Sequence, residues 1–297
     1  MSFQNLRTQY STLLKQFLKS TKEFDVLTTI PPDHSASETL YVLDSSFNPP
    51  TLAHLRIAST ALQSTPKPRP RLLLLLATQN ADKPSKPASF EDRLAMMELF
   101  ARDLRTHLAI TPASTNAAAS GLEYELPVEA LPLIDIGVTK KPYFVDKAAA
   151  IESSGRYPGA LEQVHLTGFD TLVRIFDTKY YPPHHTLAPL VPFLEKHRLR
   201  VTMRPGDAWG EREEQVAFLE ALARGDRDAE GARREWVQRI QLVEGRKPTD
   251  PHVSSTRARE ALHSAPKDLD WLVPDLVKQY ILSERAYPSD GAGTAKV

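Results

Sequence analysis

The fold is decided by the stretch Leu40-Tyr41-Val42-Leu43 and by the residues that follow it, Ser45-Ser46-Phe47-Asn48-Pro49-Pro50-Thr51-Leu52-Ala53-His54. The four apolar residues predict a buried strand, and residues 51–63 have the apolar spacing of a helix. The N-terminus of a helix carries unpaired backbone N–H groups and the positive end of a dipole, which together bind phosphate. The stretch therefore predicts a strand, a turn and a helix whose first residues face an anion.

A second stretch near the other end of the chain has the same character. It predicts a helix start with three hydroxyl side chains and two arginines, Val253-Ser254-Ser255-Thr256-Arg257-Ala258-Arg259. Hydroxyl side chains at this position cap a helix. Capping is compatible with phosphate binding because the same free N–H groups serve both. Two such helix starts suit a polyphosphate better than a single anion.

Apolar runs alternate with helical patterns along the rest of the chain. The predicted strands are residues 39–43, 72–77, 108–111, 163–167, 199–203 and 240–243. The predicted helices are residues 51–63, 90–106, 171–176, 211–224, 255–262 and 274–284, with a further amphipathic helix at the N-terminus. Nearly unbroken apolar strands between helices favour an α/β fold, with a mostly parallel, Rossmann-like sheet covered on both faces. Such sheets bind ligands at the carboxyl ends of their strands, where both stretches would lie.

The bulk properties limit the function classes. The formal net charge is zero, so no global field directs the protein to nucleic acid or to an anionic membrane. The absence of cysteine excludes disulfides, thiol nucleophiles and zinc–thiolate sites. No G-x-x-x-x-G-K-[ST] phosphate loop and no G-x-G-x-x-G fingerprint occurs, which argues against a P-loop ATPase and a dehydrogenase.

The domain organisation is predicted to be simple. Residues 1–287 are expected to form one domain, and residues 288–297 a disordered tail. Residues 66–70 predict an extended proline-rich connector, and residues 113–121 a flexible insertion. No secretory signal pattern is present, and the longest apolar run is far below the roughly 20 residues of a membrane helix. We therefore expect a cytoplasmic and/or nuclear protein.

The two stretches resemble the two signatures of a known superfamily. The first resembles the G-x-F-N-P-x-(T/H)-x-x-H signature of the nucleotidyltransferases, and the second their I-S-S-T-x-x-R signature. Residues 271–281, Trp-Leu-Val-Pro-Asp-Leu-Val-Lys-Gln-Tyr-Ile, resemble the C-terminus of the eukaryotic nicotinamide mononucleotide adenylyltransferases. The likeness covers residues 40–287, and residues 168–174 and 179–183 suggest a divergent fungal branch. That family joins ATP to nicotinamide mononucleotide, giving NAD and pyrophosphate.

The resemblance implies two catalytic residues, His54 and Arg259. His54 comes three residues after Thr51, so both side chains share the helix face that a phosphate would meet. Arg259 lies one turn beyond Ser255, where a guanidinium favours bidentate phosphate contact. The resemblance implies that ATP contacts Ser45, Ser46, Phe47, Thr51, His54, Gly168, Asp170, Ser254, Ser255, Thr256 and Arg259.

The resemblance also implies a mononucleotide site and a cofactor. Tyr180 and Tyr181 lie where relatives present a tryptophan that stacks on the nicotinamide ring. The implied mononucleotide contacts are Asn80, Lys83, Arg93, Tyr180 and Tyr181, and nearby Lys86 is either a further contact or a solvated residue of a charged loop. Mg²⁺ is the implied cofactor, held mostly through water and phosphate oxygens, so no metal ligand is assigned in the protein.

One position departs from the family pattern. Ser45 replaces the glycine that opens the first signature, and its Cβ stands where the backbone usually passes close to ligand. The serine either donates its hydroxyl to a phosphate oxygen or obstructs the site. Three alternatives therefore stay open: a different acceptor such as nicotinic acid mononucleotide, another phosphate-bearing acceptor, or a regulatory module that binds or slowly hydrolyses ATP. The sequence also leaves open whether the protein forms a homo-oligomer.

Overall fold

The computed structural model describes residues 2–33, 35, 37, 39–64, 70–79, 88–110, 130–157, 161–206, 209–245 and 250–288. Seven strands form one sheet: β1 (Phe24–Ile30), β2 (Thr39–Asp44), β3 (Arg71–Ala77), β4 (Leu133–Thr139), β5 (Glu162–Gly168), β6 (Arg198–Thr202) and β7 (Ile240–Val243). Their order across the sheet is β1-β4-β3-β2-β5-β6-β7. Strand β1 pairs with β4 antiparallel, and all the other neighbours are parallel. The mostly parallel sheet expected from the sequence is confirmed.

Helices cover both faces of this sheet. They are α1 (Phe3–Lys19), α2 (Leu52–Gln63), α3 (Phe90–Ile110), α4 (Phe144–Ser153), α5 (Phe169–Ile175), α6 (Val191–Lys196), α7 (Arg212–Arg224), α8 (Ser255–Ser264) and α9 (Asp275–Glu284). Strand β3 is buried along its whole length: Leu72, Leu74 and Leu76 pack on the side of α1, α2 and α3, whereas Leu73 and Leu75 pack on the side of α4. Burial on both faces explains why this strand is an unbroken apolar run in the sequence.

The topology switches between β2 and β5. From β2 the chain adds β3 and β4 on one side, and then returns to place β5 on the other side of β2. The helices that follow β2 and β5 therefore lie on opposite sides of a crevice at the carboxyl ends of these strands. Ligands bind in this crevice in such sheets. Ser45 follows β2 at this crevice, and its N–H donates to the Leu75 carbonyl of β3 over 3.2 Å.

Several predicted elements differ from the structure. The strand expected at residues 108–111 is wrong, because Leu108–Ile110 form the last turn of α3 and Leu104 and Leu108 continue its buried face. Strands β1 and β4 and helices α4 and α6 were not predicted. Strand β4 was missed because Asp135 and Gly137 interrupt its apolar pattern, although every residue of the strand is buried.

A network of hydrogen bonds stabilises the buried carboxylate of Asp135. Arg71 binds it in a two-pronged contact, Nε to Oδ2 at 2.7 Å and Nη2 to Oδ1 at 3.0 Å. The Tyr157 hydroxyl donates to Oδ2 over 2.8 Å, and the Thr29 hydroxyl to Oδ1 over 2.7 Å. The network connects β1, β3 and β4 to the chain after α4. It therefore stabilises the edge of the sheet that ends in β1.

Some predictions fall outside the described residues. Most of the connector at 66–70, the insertion at 113–121 and all of the predicted tail except Pro288 lie there. The single-domain assignment stays a prediction. Among the helices described, none is long and apolar enough to cross a membrane.

Candidate active site at the sheet switch point

The first stretch forms the predicted strand, turn and helix, with His54 in the first turn of α2. Thr51 is the N-cap of this helix. Its backbone N–H donates to His54 Nδ1 over 3.0 Å, and its hydroxyl lies 2.9 Å from the same nitrogen. Because Nδ1 accepts a hydrogen bond, the proton of the neutral ring lies on Nε2. His54 Nε2 is 3.0 Å from Ser45 Oγ, so it donates to that oxygen and leaves the serine's own proton for another acceptor.

The surroundings of His54 favour the neutral imidazole. Burial, and to a lesser degree the positive charge of Arg204, lower the pKa of His54 to about 4. Behind the imidazole lies the Phe47 ring, fully buried and with its centroid 5.4 Å from that of His54. Phe47 has a φ of 45°, a left-handed conformation that is uncommon for a bulky residue. The turn therefore holds the neutral His54 imidazole, with its Nε2–H donor, at the crevice.

The second stretch lies directly against the first. Ser254 is the N-cap of α8 and accepts from the Arg257 N–H over 3.2 Å. The Ser255 hydroxyl donates to the Pro49 carbonyl over 2.8 Å. Arg259 Nη1 donates to the Asn48 carbonyl over 2.6 Å, and its Nη2 donates to the Thr256 hydroxyl over 3.2 Å. The two helix N-termini are thus fixed to one another, as a shared polyphosphate site requires.

A first cavity of about 510 Å³ opens between these helix starts and the ends of β5 and β6. The predicted ATP contacts on its wall are Ser45, Thr51, His54, Gly168, Asp170, Ser254 and Ser255. Gly168 is the N-cap of α5, and a Cβ there would lie 2.6 Å from Asp170 Oδ1. The glycine therefore lets Asp170 turn back into the crevice.

A second cavity of about 460 Å³ opens on the other side of Ser45, towards α4 and the residues after α5. The predicted residues on its wall are Ser45, Ser46, Arg93, Asp170, Tyr180 and Tyr181. Arg93 is buried, donates from Nε to the Ala88 carbonyl over 2.9 Å, and stacks on Phe90. Tyr181 is also buried, and its hydroxyl donates to the Ile175 carbonyl over 2.6 Å. Tyr180 is the more accessible of the two tyrosines and is the better candidate for a ring contact.

The two cavities share a wall of four residues, Asp44, Ser45, Asp170 and Thr171. Each shared carboxylate is paired with a cation. Lys147 of α4 reaches Asp44 over 2.6 Å from the second cavity, and Arg204 reaches Asp170 over 3.2 Å from the first. The pairs remove the net negative charge that would repel two anionic molecules meeting at this wall. The arrangement suits two phosphate-bearing ligands that react where the cavities join.

Other predicted site residues lie elsewhere. Phe47 belongs to the core behind His54, and Thr256 and Arg259 are not on the wall of either cavity. The Arg259 guanidinium binds the Asn48 carbonyl, so in the structure it braces the first stretch, and its phosphate contact stays a prediction. Asn80, Lys83 and Lys86 lie outside the described residues.

Sequence reasoning missed three charged residues of the site, Asp44, Lys147 and Arg204. Asp44 stands directly before the first signature, a position that marks it as a residue of the crevice. Lys147 lies on a helix that was not predicted, and Arg204 follows β6, whose end reaches the same edge of the sheet as β2. The order of strands in the sheet was the missing information.

The side chains of the described residues offer few ligands to a metal ion. Within the described ranges, no group of three or more His, Asp or Glu residues could hold a metal. Both acidic residues of the shared wall are already paired with cations. This donor set fits a Mg²⁺ ion that is bound chiefly by phosphate oxygens and water.

Comparisons with known proteins show what this chain is similar to in family and in fold. Residues 42–186 match the Cytidylyltransferase-like family. A Schizosaccharomyces pombe protein, described as a candidate nicotinamide mononucleotide adenylyltransferase, is 33% identical over 260 residues, covering 88% of this chain and 89% of that protein. The solved structure of Plasmodium falciparum nicotinic acid mononucleotide adenylyltransferase complexed with NaAD has a TM-score of 0.50 at 12% identity, covering 84% of this chain and 97% of that one. The expected Rossmann-like nucleotidyltransferase fold is thereby confirmed.

Proposed function

Since the chain belongs to the nicotinamide mononucleotide adenylyltransferase family, we propose that it transfers AMP from ATP to nicotinamide mononucleotide, giving NAD and pyrophosphate. Family membership makes it a nucleotidyltransferase of NAD biosynthesis. The observation that supports the reaction itself is the pair of cavities that meet at Ser45. Each has room for one nucleotide, and the shared wall lies beside the His54 donor.

The proposed reaction is a direct displacement at phosphorus. An oxygen of the mononucleotide's 5′-phosphate attacks the α-phosphorus of ATP from the second cavity, and the bond from the α-phosphorus to the bridging oxygen breaks, releasing pyrophosphate. The N-termini of α2 and α8 would stabilise the charge that develops on the phosphate oxygens, together with the His54 Nε2–H, which would exchange Ser45 Oγ for a phosphate oxygen as its acceptor. The chain's contribution is therefore positioning and charge stabilisation, as is usual for such transfers.

Mg²⁺ would enter with the nucleotide. When bound, it would neutralise the leaving pyrophosphate, while Thr51, His54 and Ser254 orient the phosphate chain.

The test of this proposal is product identity. Purified protein is incubated with ATP, Mg²⁺ and nicotinamide mononucleotide, and the products are separated by chromatography and identified by mass. We expect NAD and pyrophosphate in equal amounts. ADP or AMP without a dinucleotide would favour the alternative of a slow ATP hydrolase, and unchanged ATP would favour a module that only binds it.

Ser45→Gly tests whether the unusual serine contributes to nucleotide binding. His54 Nε2–H donates to Ser45 Oγ, so the serine keeps its own proton to donate to a ligand. We expect Ser45→Gly to weaken ATP binding by about 1 kcal/mol, the net value of one hydrogen bond, when affinity is measured by calorimetry.

The matched control is Ser45→Ala, which removes the hydroxyl but keeps the Cβ. Both variants should bind ATP more weakly than the wild type. If Ser45→Gly binds more tightly and turns over faster, the serine is an obstruction. A glycine variant that forms NAD from an inactive wild type would favour the binding-module alternative.

Tyr180→Ala should affect the mononucleotide and not ATP. Of the two cavities formed by the described residues, Tyr180 lines the second and not the first, and an aromatic contact to the nicotinamide ring contributes roughly 0.5–1.5 kcal/mol. Steady-state kinetics should therefore show a KM for nicotinamide mononucleotide raised by about two- to twelvefold, with little change for ATP. Tyr181→Phe is the control, because it removes only the hydroxyl bonded to Ile175. Equal effects of Tyr180→Ala on both substrates would assign the tyrosine a structural role.

A further inference from the structure

A buried tyrosine near the end of the chain contacts the first stretch. Tyr287 follows α9, and its hydroxyl lies 2.9 Å from Asn48 Oδ1. The same Oδ1 accepts from the Ala88 backbone N–H over 2.7 Å. An oxygen that accepts from a backbone N–H is an acceptor for the tyrosine as well, so the Tyr287 hydroxyl donates to it. Burial raises the pKa of Tyr287, which keeps that proton on the hydroxyl.

The main chain at Asn48 is bound by α8. The Asn48 carbonyl accepts from Arg259 Nη1 over 2.6 Å, and the next carbonyl, that of Pro49, accepts from the Ser255 hydroxyl over 2.8 Å. Both bonds join the turn before α2 to the first two turns of α8. The two carbonyls therefore fix how the N-termini of α2 and α8 lie relative to each other.

The turn that carries these carbonyls needs contacts from outside to keep its shape. Phe47, immediately before Asn48, has a φ of 45°. A bulky residue stays in this left-handed conformation only where its surroundings hold it. The hydrogen bond from Tyr287 to the next side chain, that of Asn48, is one such contact. Loss of the hydroxyl should therefore let the turn shift, and the two carbonyls shift with it.

Resting on the proposed function, which assigns the first cavity to ATP, we propose that Tyr287 is a positioning residue of the ATP site. It acts through Asn48, whose side chain it holds and whose carbonyl binds Arg259. Tyr287 itself is not on the wall of either of the two cavities. Ser254 and Ser255, at the start of α8, line the first cavity, and no residue of α8 is on the wall of the second. The effect should therefore fall on ATP and not on the mononucleotide.

The test is the affinity of Tyr287→Phe for ATP, measured by calorimetry in the presence of Mg²⁺. The phenyl ring keeps the packing in the core, so the variant should fold, which a thermal unfolding curve checks. We expect the dissociation constant for ATP to rise by about fivefold, the equivalent of one net hydrogen bond. The KM for nicotinamide mononucleotide should stay at the wild-type value.

The matched control is Tyr280→Phe, the same chemical change at a second buried tyrosine near the end of the chain. The Tyr280 hydroxyl donates to Asp92 Oδ1 over 2.8 Å, and neither residue lines a cavity formed by the described residues. A hydrogen bond to a carboxylate contributes at least as much stability as one to an amide. Tyr280→Phe should therefore destabilise the protein at least as much as Tyr287→Phe and leave the affinity for ATP unchanged.

A double-mutant cycle with Arg259→Ala tests the route through Asn48. Both single variants weaken the contact between the turn and α8, so the loss of ATP affinity in the double variant should be smaller than the product of the two single losses. The inference is overturned by an unchanged ATP affinity in Tyr287→Phe, by an equal loss in Tyr280→Phe, or by losses that multiply in the double variant. A wild type that does not bind ATP would refute the proposed function, and the inference would fall with it.

Discussion

His54→Ala is expected to lower kcat by about two to three orders of magnitude, the usual loss for one preorganised donor to a charged transition state. The structure supplies the reason, because Thr51 fixes the ring and its Nε2–H is directed at the wall shared by the two cavities. Removal of the ring should not unfold the protein, since His54 lines the first cavity. The measurement is turnover under saturating substrates, together with a thermal unfolding curve.

His54→Gln is a useful companion to this variant. Its amide can donate a hydrogen bond but cannot reproduce the double contact of Nδ1 with Thr51. We expect activity between that of His54→Ala and the wild type. If His54→Ala keeps most of its kcat while its unfolding curve is unchanged, His54 has no part in the transfer.

Asp135→Ala should lower the free energy of unfolding by about 3–5 kcal/mol. Loss of the carboxylate would leave the Arg71 charge buried, because its side chain is only 7% exposed. It would also remove the acceptor of the Tyr157 and Thr29 hydroxyls. Urea unfolding followed by circular dichroism measures the change. Asp146→Ala, at an exposed position, should change it by less than about 0.5 kcal/mol.

A double variant tests whether the loss of stability comes from the unpaired charge of Arg71. Arg71→Met with Asp135→Leu leaves no buried charge unpaired, so we expect it to be less destabilising than Asp135→Ala alone. If Asp135→Ala costs less than about 1 kcal/mol, the network does not hold β1 and β4 to the sheet.

Much of the fold could be predicted from the sequence because the central strands are buried on both faces. Strands β2, β3, β5, β6 and β7 appear as apolar runs, and the predicted ends differ from the observed ones by one residue at most. Strand β4 could not be recognised locally, since the partner that makes Asp135 acceptable, Arg71, is 64 residues away in the chain. The turn of α3 at residues 108–110 was mistaken for a strand because a short apolar run fits either structure.

The site was predictable where a local pattern carries the chemistry. A helix start with hydroxyl side chains and a histidine one turn later is visible in the sequence, and the structure brings both helix starts together. The ion pairs of the shared wall join residues far apart in the chain, 103 positions apart in one pair and 34 positions apart in the other. Such pairs follow from the order of the strands and not from any local motif.

The most direct test of the central claim follows the α-phosphorus of ATP. Two parallel reactions contain nicotinamide mononucleotide, Mg²⁺ and ATP labelled either at the α- or at the γ-phosphorus. The account predicts that the α-label appears in NAD and the γ-label in pyrophosphate, at equal rates and with both rates lowered together in His54→Ala. Release of the γ-label as inorganic phosphate, with no α-label in a dinucleotide, would contradict it.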